Sequence, residues 1–102
     1  MTTNRDEIER ALAFFESTTD VRLLRETLRA IRPRAARAVA SFERRGQPVP
    51  PPREISPASE AATQADALRT VSVVSDFGEL QALARTIGRR IEALGGVDGR
   101  PG

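Results

Sequence analysis

Seven apolar positions, Val21, Leu24, Leu28, Ile31, Ala35, Ala38 and Phe42, recur at alternating spacings of three and four residues in a stretch otherwise dominated by arginine. That period belongs to an α-helix with one apolar stripe, because a half-buried strand would alternate at every second residue. Phe77, Leu80, Ala84, Ile87, Ile91 and Leu94 repeat the pattern near the C-terminus. Two stripes of this kind cover one another most economically when their helices lie side by side. The sequence therefore predicts an all-α fold, a small helical bundle in which a long Pro-bent helix packs antiparallel to a C-terminal helix.

Local signals place the ends of the helices. Asn4 and Glu7 stand at capping-box spacing, and Ile8, Ala11, Leu12 and Phe15 follow on one face, so a first helix is expected over about residues 5 to 17. Thr19 or Asp20 then caps the long helix, which runs to Arg45 and stops at Gly46. Pro33 lies inside it, and since the apolar phase continues past that residue, a bend is expected there and not a break.

Pro48, Pro50, Pro51, Pro52 and Pro57 make residues 46–57 a semi-rigid, extended spacer. Ser56 before Pro57 has the form of a helix start, predicting a third, Ala-rich helix over about 57 to 69. Residues 70–75 alternate in β-branched fashion, yet no second strand pattern exists to pair with them, so a junction between helices is the expectation. Asp76 with Glu79 opens the fourth helix, to about Leu94. The domain reading is one helical domain over 1–95 and a disordered tail over 96–102.

Only 24 residues of 102 are Val, Ile, Leu or Phe. A core that thin is commonly completed by a second copy, so a homodimer is expected, buried through the seam of Val21, Leu24, Leu28, Ile31 and Phe42 with that of Phe77, Leu80, Ile87, Ile91 and Leu94. The longest apolar run, 11–15, is too short to span a bilayer, and acids near the N-terminus do not suit a secretory signal. Cytoplasmic residence is the expectation.

The chain has no Cys, His, Lys, Tyr or Trp. These gaps remove thiolate, imidazole and amine chemistry, leaving carboxylates, hydroxyls and arginine. The carboxylate pairs Glu9 with Glu16 and Asp76 with Glu79 fall on helix surfaces or starts, where acids serve the macrodipole. Ser56, Ser75 and Thr19 are read as caps, and no phosphate-cradling loop is present. No enzyme activity, metal or cofactor is expected.

Charge is more informative. Residues 21–53 hold nine Arg against Glu26 and Glu43, whereas the segments on either side are net acidic. Such a run either pairs internally, Arg22, Arg25, Arg29 and Arg32 meeting Glu9 and Glu16 of the first helix, or faces an anionic partner. Arg25, Arg29, Arg32, Arg37, Arg44 and Arg45 are the candidate partner-binding residues. An acidic protein surface is the first expectation, giving an adaptor or small regulator of a larger assembly. Nucleic acid is the alternative, although no aromatic stacking residues accompany the arginines. A membrane surface is disfavoured by the weak apolar face after Pro33 and the lack of Trp.

Overall fold

The computed structural model describes residues 4–95 as four helices, α1 (Arg5–Ser17), α2 (Val21–Arg44), α3 (Gln64–Val73) and α4 (Phe77–Ala93). The expectation of a disordered tail falls on residues outside this range. Each helix begins where a short polar side chain can take an orphan amide. Asn4 Oδ1 accepts from Asp6 N at 2.7 Å while Asn4 N donates to Glu7 Oε1 at 3.2 Å, completing the expected capping box. Asp20 accepts from Leu23 N and Asp76 from Glu79 N, at 3.1 and 2.9 Å. Neither Thr19 nor Ser75 is the capping residue.

The long helix is continuous through Pro33, which is exposed, so the lost amide and the crowded carbonyl of Arg29 meet solvent. It closes on Gly46 at φ 68°, with Gln47 N donating to Phe42 O and Gly46 N to Glu43 O at 2.9 and 3.0 Å. That double bond pattern needs the left-handed conformation which glycine adopts without strain.

Helix α4 is the centre of the bundle. Phe42 meets the Phe77 ring edge-on at a centroid distance of 5.7 Å, bringing the end of α2 to the start of α4, so the two run antiparallel as the stripes predicted. Arg90 reaches the carbonyl of Thr18 just after α1, so α1 runs parallel to α4. Because α4 is covered from two sides, Leu83 is fully buried although it lies off the stripe facing α2. Ile8, Leu12 and Phe15 of α1, Leu24 and Ile31 of α2, Val71 of α3 and Leu80, Leu83 and Ile87 of α4 form one core.

The third helix departs from expectation. Residues 57–63 are not helical, and α3 starts seven residues later, capped by Thr63 accepting from Asp66 N at 3.1 Å. Ser56 and Pro57 instead belong to an extended strap, residues 47–63, that runs from the end of α2 across α4 to α1. Arg53 N donates to Gly78 O, Ala58 N to Glu9 O and Ala62 N to Arg10 O, at 3.1, 2.9 and 3.0 Å. A helix starting at Pro57 would have left the Ala58 amide in its unpartnered first turn while offering only alanines for burial; the extended form donates the Ala58 and Ala62 amides to α1 and buries Ala62 and part of Ile55. The junction expected over residues 70–75 is shorter and later: residues 70–73 continue α3, with Thr70 and Val71 buried, and only residues 74–76 link it to α4. Among the described residues no helix is long and apolar enough to cross a membrane.

Candidate interaction face on the long helix

Arginines sort into three physical situations. The first is internal clamping. Helices α1 and α3 both lack a basic residue in their last turns, so their final carbonyls have no cation of their own. Arg34 supplies one for α3, with Nη1 on Val71 O and Nη2 on Val74 O, each at 2.6 Å. Arg90 does the same for α1, donating from Nε to Thr18 O at 2.9 Å and from Nη2 to Ser17 O at 3.5 Å. The planar fork reaches two carbonyls at once, which a lysine cannot reproduce. Neither Arg34 nor Arg90 is a candidate from sequence; the lack of a cation in the last turn of α1 is readable there, whereas the bare end of α3 is not, because the helix expected over 57–69 would have ended on Arg69.

Arg53 is a third clamp. Its Nε meets Asp76 Oδ2 at 3.0 Å and its Nη2 meets Oδ1 at 3.4 Å, fastening the strap to the residue that caps α4. The hydrogen bond from Arg53 holds the Asp76 carboxyl below its ordinary pKa, and the same bond raises that of Arg53. Glu79 next to them is displaced upward, first by loss of water and then by the Asp76 charge. A Cβ at position 78 would stand 2.8 Å from Arg53 Cγ, so glycine there lets the arginine stem lie against the helix.

The second situation is pairing along or near the same helix: Arg5 with Glu9, Arg22 with Glu26 and Arg69 with Asp66, at 3.4, 3.4 and 3.0 Å. Glu9 and Arg22 thus find partners within their own helices, not across α1 and α2 as the internal-pairing reading expected. Arg45 stacks on Phe42 at 5.1 Å, and Arg25 is half-buried and engaged.

The third situation is exposure. Arg29, Arg32, Arg37 and Arg44 project from α2 into solvent and make no ion pair among the described residues. Of the six expected partner-binding residues these four project from α2; Arg45, just past its end, is also exposed while it stacks on Phe42, and Arg25 is half-buried. Of the residues expected in a dimer seam, Leu24 and Ile31 are 0% and 1% exposed within the single chain, Leu80 and Ile87 5% and 0%, and Phe77 8%. Val21, Leu28, Phe42, Ile91 and Leu94 are half-buried. Within one chain the two stripes pack against each other.

Beside the arginines, α2 and α3 diverge. Leu23, Thr27 and Ala30 on one side and Leu68, Val71 and Ser72 on the other line an open groove of about 460 Å³. Arg34 and Glu26 also border it, but the guanidinium of Arg34 is turned to the α3 carbonyls and Glu26 is paired with Arg22. Among the described residues no cluster of acids has the arrangement of a metal site. Comparison of the chain with protein-family models, with curated proteins and with solved structures found no match.

Proposed function

We propose that this chain is a non-enzymatic protein–protein interaction module, an adaptor or small cytoplasmic regulator of a larger assembly, that meets an acidic protein surface through α2. The observation that carries the reading is the row Arg29, Arg32, Arg37 and Arg44, four exposed cations on one rigid helix with no structural duty among the described residues. Elsewhere, Arg34, Arg53 and Arg90 hold helix ends, and Asp20 and Asp76 cap helices. Exposed arginines near one another raise the local positive potential and favour encounter with an acidic partner.

The test is affinity capture of the tagged chain from its host's lysate, with and without nuclease. The reading expects a stoichiometric protein that survives nuclease and disappears when Arg29, Arg32, Arg37 and Arg44 are all replaced by Glu, with helical content unchanged. A catch that vanishes with nuclease and shows a steep salt dependence, about −0.9 in log–log slope per phosphate on duplex DNA, would replace it with a nucleic-acid regulator.

A further inference from the structure

The groove between α2 and α3 continues into the arginine row. Leu23, Ala30, Arg37 and Arg44 are spaced by seven residues, so they form one stripe along α2, apolar in its first half and basic in its second. Helix α3 walls the apolar half, and the Arg34 fork, bonded to Val71 O and Val74 O, marks the point where the wall ends. Beyond it, Arg37 and Arg44 stand exposed on the same line.

We propose that this stripe is a docking track for an acidic amphipathic helix of a partner protein, a refinement that rests on the interaction-module reading above. Apolar side chains of the partner fill the space over Ala30 and Thr27, between Leu23 and Leu68, and acids about two and four turns along the same face meet Arg37 and Arg44. Small residues at the floor leave room for the partner's side chains. Among the described residues that line the groove the one acid, Glu26, pairs with Arg22 at 3.4 Å, which offsets part of its charge. The groove volume of about 460 Å³ falls inside the range of roughly 300–1,000 Å³ that takes up organic ligands. In helix-in-groove binding the bound helix presents anchors at i, i+3, i+4 and i+7, so the partner's apolar half would enter the groove with that spacing.

The experiment is fluorescence anisotropy of labelled peptides with the full chain. The probe is a synthetic helix of about 21 residues, the length that spans positions 23 to 44. It carries Leu along one face of one half and Glu along the same face of the other, and is made in both sequence orders. The track expects one order to bind, a Glu→Lys counterpart not to bind, and affinity to fall at least tenfold in Ala30→Trp, whose bulk fills an exposed position, and in Arg37→Glu with Arg44→Glu. Arg29→Glu with Arg32→Glu, off the stripe, should change affinity less than threefold.

Retained binding in Ala30→Trp together with loss in the Arg29 and Arg32 variant overturns the track but leaves the module reading intact. Failure of both peptide orders also overturns the track. A chain that ignores the peptides and binds duplex DNA overturns both readings. If light scattering shows a dimer that Ala30→Trp converts to a monomer, the occupant is a second copy and the proposed partner is wrong.

Discussion

Gly78 shows how much of the architecture turns on single residues. The stem of Arg53 lies where the Cβ of any other residue at 78 would stand, and that placement aligns the guanidinium with Asp76. Alanine ordinarily improves a helical site over glycine by about 0.5–1 kcal/mol. Here we expect Gly78→Ala to yield no such gain, because the arginine must move off Asp76. In an Arg53→Ala background the same change should be stabilising, needing only a small shift of the Asp76 carboxylate. A double-mutant cycle by chemical denaturation reads the reversal of sign; equal effects in both backgrounds would show that Arg53 does not depend on the glycine. None of this was visible in the sequence, where Gly78 reads as an isolated glycine in a helical pattern. The close approach comes from a residue 25 positions away, on a strap whose course the local signals do not set.

At the scale of elements, the start of α4 makes a prediction about pH. Asp76 titrates below the ordinary carboxylate range, chiefly because Arg53 hydrogen-bonds its charged form. A depressed native pKa stabilises the fold above the unfolded value, about 3.9, and that contribution is lost as pH falls through the native value. Glu79 has the opposite sign: its pKa is raised, so ionising it above about pH 4.3 works against folding. Asp76→Asn should therefore lower Tm at pH 7 and change it less at pH 3, whereas Glu79→Gln should raise Tm at pH 7 and leave pH 3 nearly unaltered. Parallel shifts of both variants at both pH values would contradict the assignment. Helices α1, α2 and α4 were legible because cap, stripe and terminator agree in each. Helix α3 was misplaced because Ser56 and Pro57 form a valid start signal with too little apolar surface behind it. Thr63 is the start that Leu68 and Val71 can anchor, and the strap before it gains more by donating Ala58 and Ala62 amides to α1.

For the molecule as a whole, the concentration of arginine on α2 has two meanings that composition alone cannot separate. That α2 carries outward cations was legible, since a positive helix with its apolar seam turned inward must present some of them to water. Which ones was not legible, because Arg34 differs from Arg37 only in facing the end of α3. Arg34 and Arg37 thus divide their roles, one holding the fold and the other facing solvent for a partner. Thermal unfolding of Arg34→Ala beside Arg29→Gln with Arg37→Gln tests this division most directly. Removing the fork strips charged hydrogen bonds from two carbonyls, a loss of about 1.5–3 kcal/mol and a fall in Tm on the order of 10 °C. The outward pair should stay within about 0.5 kcal/mol of the parent. A fall in the outward pair matching that in Arg34→Ala would show that the exposed row is part of the scaffold, and the docking face would have to be sought elsewhere.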